Sequence, residues 1–451
     1  MKDNCIILGL GASGLAAAEL LQAQGDRVTV VDNSSSPPVE ERASTLRRLG
    51  VEVATACGKL PGGNFSLGVT SPGLRSDSEW IRDLESRGTP VISELELGGR
   101  HCRCPMLAVT GTNGKSSVAK LCADALRLAG RKAMLAGNYG TPLSAIAGRS
   151  AELDWAVVEV SSFQLERVCT FHPQVAVVLN IQPDHLDRHG DMQTYYRTKA
   201  RLFRNMGRGD SGIAPKSLSK SLLDVIRPMQ DSPGMDWATF GNSPSADYTF
   251  AEGHVRWKSA DSDHAISLRG SYFENDVLGT NVAAAIAALR ACGCPAAAAQ
   301  RAARQFRPLP HRMQEVGTLK GIRFVNDSKA TNLAALQAAL EMCPSRGRLI
   351  AGGVLKEGDL TQVEEKLAKH IRSVYLVGKA SSVMQEAWSG VVKCKTCSGL
   401  EDAVQGAWND AEPGETILLS PGCASFDQFC DYQDRGKQFE KIVETIIQKE
   451  S

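Results

Sequence analysis

Along this chain an apolar run repeatedly passes through a glycine-rich or polar loop into a stretch of helical periodicity. Cys5 to Leu8 lead into Gly9-Leu10-Gly11-Ala12-Ser13-Gly14 and then into the helical Leu15 to Gln24. Val28 to Val31 follow and end at Asp32. Met106 to Val109 lead into Gly111 to Lys115, after which Val118, Leu121, Cys122, Ala125, Leu126 and Ala129 recur at helical spacing. Further buried-strand candidates are Trp155 to Val160, Val175 to Leu179, Leu349-Ile350, Val374 to Val377 and Thr416 to Leu419. Strands that alternate with helices bury their apolar faces as α/β layers with mostly parallel sheets.

The chain has 451 residues, room for roughly three domains. Two breaks read as boundaries. One lies near Ser93 to Cys104; the other is Arg307-Pro308-Leu309-Pro310-His311, whose prolines end an Ala-rich helical stretch. Residues from about Gly207 to Glu274 are polar and poorly periodic and read as irregular strands and loops. The net charge of +1 argues against a broad nucleic-acid surface. With no apolar run of 18 residues, no membrane insertion is expected. The N-terminus reaches its glycine loop too soon for a secretory signal. The 13 cysteines therefore read as reduced thiols of a cytoplasmic protein. Cys394-x-x-Cys397 and Cys102-x-Cys104 lack a second pair or histidines at zinc-site spacing.

Two loops compete to define the chemistry. Gly111-x-x-Gly114-Lys115-Ser116 lies between a strand and an amphipathic helix. Glycines there let backbone N–H groups approach phosphate oxygens, and the helix N-terminus adds positive potential. Lys115 would reach the β- and γ-phosphates of ATP, and Ser116 would ligate Mg²⁺. Gly9-x-Gly11-x-x-Gly14, followed by Asp32 at the end of the next strand, is the dinucleotide fingerprint. Alone it would suggest an NAD-dependent dehydrogenase, but such an enzyme has no use for a second, ATP-type loop.

Polar residues at strand ends add to the ATP loop. Glu159 closes the Trp155 strand, where α/β sheets bind ligands, and is a Mg²⁺ ligand candidate. The next strand ends in Asn180-Ile181-Gln182-Pro183-Asp184-His185-Leu186-Asp187, which puts Asp184 or His185 in a similar position. Lys199, in the helical run Thr194 to Phe203, reads from pattern alone as a surface lysine.

Together these motifs resemble the Mur ligase family. The resemblance spans the chain: Gly111 to Ser117 (GTNGKSS), Glu159 to Glu166 (EVSSFQLE) and Asp184-His185-Leu186-Asp187, then Pro310-His311-Arg312, Asn326 to Asn332 (NDSKATN) and Ser420 to Phe429 (SPGCASFDQF). It implies an N-terminal Rossmann-like domain over residues 1–95 that binds UDP, a central P-loop ATPase-like domain with a mostly parallel sheet over 96–308, and a C-terminal Rossmann-like domain over 309–451 for the incoming amino acid. The SSFQLE, NDSKATN and CASFDQF runs favour the D-glutamate-adding member. The implied activity is ATP-dependent addition of D-glutamate to UDP-N-acetylmuramoyl-L-alanine through an acyl phosphate, in the cytoplasm and by a monomer. A sister ligase adding another amino acid, or a nucleotide-binding regulator without turnover, are the alternatives.

The resemblance also implies residue roles. Gly111, Thr112, Asn113, Gly114, Lys115, Ser116, Ser117, Asn281, Arg312 and Asp327 would bind ATP. Gly14, Leu15, Asn33, Ser34, Ser71, Gly73, Asn138, Ser161, Gln164 and Lys329 would bind the UDP-substrate. Thr331, Lys356, Ser425 and Tyr432 would hold D-glutamate. Ser116 and Glu159 would ligate one Mg²⁺, and His185 with a carbamylated Lys199 another; Lys115, His185 and Lys199 would be catalytic. Carbamylation would turn an ammonium that repels a metal into an anion that holds one. The family's polar run near adenine appears as Thr280-Asn281-Val282-Ala283-Ala284, which keeps only Asn281, and its Gly-Gly-x-Asp-Lys run appears with Leu355 before Lys356.

Overall fold

The computed structural model describes residues 3–230, 234–258, 262–343, 346–356 and 358–450. Among these residues the chain folds as α/β layers on three sheets, most of whose strands run parallel, as the alternating pattern predicts. It divides into two compact units, Met1–Ile181 with Asp191–Phe306, and Gln182–Gly190 with Arg307–Ser451.

The first unit carries two sheets. The smaller contains β1 (Asn4–Leu8), β2 (Arg27–Val31), β3 (Glu52–Ala54), β4 (Leu67–Thr70) and β5 (Val91–Ser93), all parallel, in the order β3-β2-β1-β4-β5. The chain leaves β1 toward β2 and later returns to the other side at β4, so the strand order reverses between β1 and β4. Ligands of open α/β sheets bind outside the carboxyl ends of strands at such a point. Here it carries the first glycine loop.

The larger sheet contains β6 (Met106–Thr110), β7 (Ala133–Gly137), β8 (Trp155–Glu159), β9 (Val175–Val178), β10 (Ser211–Pro215), β11 (Asp236–Gly241), β12 (Tyr248–Ala251), β13 (His254–Lys258) and β14 (Asp263–Ser267). Their order is β14-β13-β12-β11-β10-β9-β6-β8-β7, and only the β12-β13-β14 end is antiparallel. The reversal falls between β6 and β9, at the second glycine loop. The strand cores read as near-continuous apolar runs because helices cover both faces; β9 is buried along its whole length.

One expectation needs correction here. Residues 207–274 are not irregular: their described part forms β10 to β14 and a helix, Lys216–Ile226, and the strands extend the larger sheet. Residues 231–233 and 259–261 lie outside the described residues. The weak periodicity has a physical cause. In β13, Val255 and Trp257 are buried while Arg256 and Lys258 are exposed, the alternation of a strand with one wet face. The segment Ser93 to Cys104, read as a boundary, is mostly a helix, Glu94–His101, capped by Ser93. Its Glu94 and Glu96 are buried. The Glu96 carboxylate accepts the backbone N–H groups of Cys169, Thr170 and Phe171, the Thr170 hydroxyl and Arg100 Nε, at 2.6–3.1 Å.

The second unit carries the third sheet: β15 (Gln314–Leu319), β16 (Ile322–Asn326), β17 (Gly347–Gly352), β18 (Ile371–Val377), β19 (Lys393–Thr396) and β20 (Thr416–Leu419), ordered β15-β16-β20-β17-β18-β19. All pairs but β15-β16 are parallel. No described helix is long and apolar enough to cross a membrane.

Candidate active site

At the carboxyl end of β6 the chain turns sharply through Gly111 (φ 154°) and Gly114 (φ 85°), conformations that L side chains rarely adopt. A Cβ on Gly114 would lie 2.8 Å from the Asn281 side-chain nitrogen, so Asn281 packs against the loop. The helix Lys115–Leu128 starts there, and Ser116 and Ser117 are buried in its first turn. The Lys115 ammonium donates to the carbonyls of Gly111 (2.8 Å) and Thr112 (2.7 Å). The result is a tight glycine loop at a helix N-terminus with the Lys115 cation folded over it, which suits a phosphate group.

Sequence reasoning assigned nothing to Asn180, yet it braces this loop. Its Oδ1 accepts from the Thr112 (3.1 Å) and Asn113 (2.9 Å) amides, and its Nδ2 donates to the Asn113 carbonyl (3.1 Å). The Thr112 amide also reaches the Asn180 carbonyl at 3.0 Å. The adjacency of β6 and β9 brings the two segments together.

Glu159 ends β8, one strand over from β6 and paired in register with Val109. It is 2% exposed. Its Oε1 accepts from Asn138 Nδ2 at 2.8 Å, while its Oε2 is buried without a hydrogen-bond partner. A carboxylate oxygen left buried and unpaired is costly unless a cation meets it. Among the described residues no three His, Cys, Asp or Glu side chains group to hold a metal. A Mg²⁺ fits such a place, because it takes one or two carboxylates and draws its remaining ligands from water and phosphate.

Lys199 is not a surface residue. It is 1% exposed on the helix Met192–Ala200, donates to the Gly111 carbonyl at 2.9 Å, and lies 4.6 Å from the centre of the Tyr195 ring. The Tyr195 hydroxyl is 3.1 Å from Thr112 Oγ1. Lys115 and Lys199 thus meet at one carbonyl of the phosphate loop.

The residues expected around the UDP-substrate form two groups in the first unit, while Lys329 lies in the second. At the first glycine loop, a Cβ on Gly14 would stand 1.9 Å from the Gly9 carbonyl oxygen, so glycine is required there. Ser71 Oγ donates to that same carbonyl at 3.1 Å. Leu15 and Ser34 are half-buried and Asn33 is exposed; Gly73 has open space where a Cβ would point. Asp32 is spoken for: its carboxylate accepts the backbone N–H groups of Leu10 (2.6 Å) and Ser34 (2.8 Å), bracing the loop from within. In the larger sheet, Ser161 and Gln164 bond each other in a capping box at the start of the helix Ser162–Leu165.

The second unit gathers the rest. Asp184 sits with Asn332, whose Nδ2 donates to it at 2.8 Å, with Lys356 Nζ at 3.6 Å and with His185 Nε2 at 3.5 Å. His185 holds a left-handed backbone (φ 60°). Asp327 follows β16 and is buried; it accepts from Ser420 Oγ (2.8 Å) and the Met313 amide (3.1 Å), and burial pushes its carboxyl up to about 7 despite these donors and Arg312. Lys329 Nζ lies 3.8 Å from the centre of the Tyr432 ring, and Ser328 Oγ donates to the Tyr432 carbonyl at 2.8 Å. Thr331 is half-buried and Ser425 is buried. Arg435 escaped sequence reasoning. It is 1% exposed and donates to Ser328 Oγ, the Ser328 carbonyl and the Cys423 carbonyl, tying together the two runs singled out after β16 and β20.

Known proteins match along the whole chain. Residues 3–93 match the MurD-like N-terminal domain of Mur ligases, 109–289 the Mur ligase middle domain, and 311–423 the Mur ligase glutamate ligase domain. A protein of Acidobacterium capsulatum named UDP-N-acetylmuramoylalanine–D-glutamate ligase is 34% identical, over 97% of this chain and 95% of its own length. One of the same name from Desulfotalea psychrophila is 36% identical, with the same coverage. Among solved structures, the MurF ligase of Thermotoga maritima in complex with ADP superposes with a TM-score of 0.63 at 15% identity, covering 98% of both chains. The UDP-N-acetylmuramate–alanine ligase MurC of the same organism gives 0.60 at 16%, covering 98% of this chain and all of the other. The fold is shared with these ligases, and the sequence places the chain in the Mur ligase family.

Proposed function

We propose that this chain is an ATP-dependent amide-forming ligase that adds D-glutamate to UDP-N-acetylmuramoyl-L-alanine in peptidoglycan synthesis. The observation that carries the chemistry is the phosphate loop at the β6–β9 reversal, with a buried, half-unpaired Glu159 carboxylate on the neighbouring strand. The names of the full-length relatives support the choice of substrates.

The terminal carboxylate of UDP-N-acetylmuramoyl-L-alanine attacks the γ-phosphorus of ATP, and ADP leaves. The acyl phosphate that forms is then attacked at its carbonyl carbon by the amine of D-glutamate; the C–O bond breaks, inorganic phosphate leaves and the amine proton is lost. No protein nucleophile is needed. Lys115 and the helix N-terminus that begins at Gly114 hold the phosphates and offset charge on the transferring group, with Gly111, Thr112, Asn113, Ser116 and Ser117 shaping the loop around them. We assign Ser116 and Glu159 to Mg²⁺, and His185 with a carbamylated Lys199 to a second Mg²⁺. Bound Mg²⁺ supplies charge neutralisation between a carboxylate and a triphosphate that otherwise repel. Asn281, Arg312 and Asp327 are assigned to ATP, and Thr331, Lys356, Ser425 and Tyr432 to D-glutamate. Lys356 provides the cation that a second carboxylate requires. Gly14, Leu15, Asn33, Ser34, Ser71, Gly73, Asn138, Ser161, Gln164 and Lys329 are assigned to the UDP-substrate. The reading includes action in the cytoplasm, as a monomer.

The test is ADP release with ATP, Mg²⁺ and UDP-N-acetylmuramoyl-L-alanine, with D-glutamate compared against L-alanine, L-lysine, diaminopimelate and D-Ala-D-Ala. Mass measurement of the product identifies the amino acid joined. Equal ADP release without any amino acid defeats the ligase reading; turnover with one of the others moves the chain to a sister activity.

A further inference from the structure

All 13 cysteines are free thiols, and most are buried. Cys102 and Cys104 differ from the others in geometry: their sulfurs lie 3.6 Å apart. The backbone explains it. Cys102 ends the helix Glu94–His101 with extended dihedrals (φ −75°, ψ 123°). Cys104 precedes Pro105, which disfavours a helical conformation at that position. In extended chain, residues two apart share a face. Arg103 between them donates its amide to Ser150 Oγ at 2.9 Å, and that hydroxyl donates to the Ala147 carbonyl at 2.6 Å, so the connection is held in this shape.

The two thiols are unequal. Cys102 is half-buried and Cys104 is 7% exposed, within the core beneath the larger sheet. The Cys104 S–H beside it, with the Cys104 backbone, outweighs burial and lowers the Cys102 thiol to about 7. The same contact and burial push Cys104 up. A half-buried thiol 3.6 Å from a more sheltered one is the arrangement of an attacking and a resolving sulfur.

We propose that Cys102 and Cys104 form a reversible dithiol–disulfide site oxidised by low-molecular-weight disulfides of the glutathione class. The Cys102 thiolate attacks one sulfur of the oxidant, whose S–S bond breaks and releases one thiolate. Cys104 passes its proton to that thiolate and attacks Cys102 Sγ in the mixed disulfide; the second sulfur leaves as a thiolate and takes from water the proton that Cys102 had given up. One oxidant disulfide is reduced to two thiols, and the two protein thiols are oxidised to one disulfide. The sulfurs need to close from 3.6 Å to about 2.05 Å. The site lies at the entry to β6, whose far end is the phosphate loop.

Arg103 makes the test direct, because trypsin separates the two cysteines. The full chain is equilibrated in glutathione buffers from fully reduced to fully oxidised, alkylated, digested and weighed. The expected result is a disulfide-linked pair of peptides, residues 101–103 and 104–115. Their alkylated forms should fall at least tenfold and return with dithiothreitol. Cys104→Ser should trap glutathione on Cys102, whereas Cys102→Ser should leave Cys104 unmodified. Thermal melts matching the wild type establish that both variants fold. A wild-type chain that stops at glutathione on Cys102, that leaves both thiols alkylatable, or in which Cys104 of the Cys102→Ser variant is modified instead, overturns the proposal.

Discussion

Asn180→Ala tests whether the phosphate loop depends on a residue from the neighbouring strand. The side chain makes three hydrogen bonds to the loop, at 3.1, 2.9 and 3.1 Å. At about 1 kcal/mol net for each bond, the carboxamide is worth up to about 3 kcal/mol. The backbone bond from the Thr112 amide to the Asn180 carbonyl (3.0 Å) survives the substitution, so part of the loop's support remains. Loss of the rest falls on ATP binding, because the loop must be ordered again when the phosphates arrive. The KM for ATP should therefore rise about 10- to 100-fold, with the KM for the amino acid unchanged and little change in melting temperature. Asn180→Asp keeps both accepted bonds but sets an anion beside the triphosphate, so its loss for ATP should be at least as large and should shrink at high salt. Steady-state ADP release at varied ATP reads both variants. A KM for ATP within about twofold of wild type in the alanine variant would refute the reasoning.

Three further outcomes follow from the same geometry. Gly14→Ala should unfold the first sheet or lower its stability, since its Cβ would stand 1.9 Å from the Gly9 oxygen, whereas Gly11→Ala, with no protein atom within 4 Å, should leave the fold intact; thermal melts compare them. Glu96→Gln puts an NH₂ donor among donors that now all point at the carboxylate, and should cost about 2–4 kcal/mol in urea unfolding. Burial raises Glu96, but the Thr170 hydroxyl, the Cys169 and Thr170 amides and Arg100 outweigh it and hold the carboxyl below its usual range. Its stabilisation is thus fully present above the unfolded value of about 4.3 and lost as pH falls through the lower folded value; urea unfolding across that window should show the loss in the wild type and not in the glutamine variant. Glu159→Gln keeps the bond from Asn138 but removes the charge, so the Mg²⁺ needed for half-maximal ADP release should rise by about tenfold or more; an unchanged Mg²⁺ requirement removes Glu159 from the metal.

Some of this was legible because the constraint is local. Gly111 and Gly114 must take up positive φ in a loop that a helix follows at once, and that demand is written in the spacing of the glycines. Glu159 was legible as a carboxylate closing an apolar run. Lys199 was not: its helical run reads as surface, and only packing against Tyr195 and the Gly111 carbonyl buries it. Asn180 and Glu96 failed to register for another reason. Their partners lie 67–68 and 73–75 residues away in the chain, and nothing local states which strand lies beside which. A signal for Ser161 and Gln164 was available and unused, since Ser-x-x-Gln is the spacing of a capping box. The half-wet strand β13 shows the opposite failure, a regular element whose polar face hides its period.

The two glycine loops show what sheet order adds to motif. Both follow a first strand, both open a helix, and the first carries the acidic residue of a dinucleotide site. The strand order reverses beside each of them, so both occupy ligand-binding positions and neither is excluded by topology. What separates them is the neighbouring strand end. Beside the first loop it supplies Ser71, a neutral hydroxyl bonded to the Gly9 carbonyl, while Asp32 turns inward to the loop's own amides. Beside the second it supplies Asn180, and the next strand over supplies a buried carboxylate with an oxygen to spare. A triphosphate with its metal needs that carboxylate and a nucleoside diphosphate group does not. The proposed division of labour between the loops therefore rests on residues outside either motif.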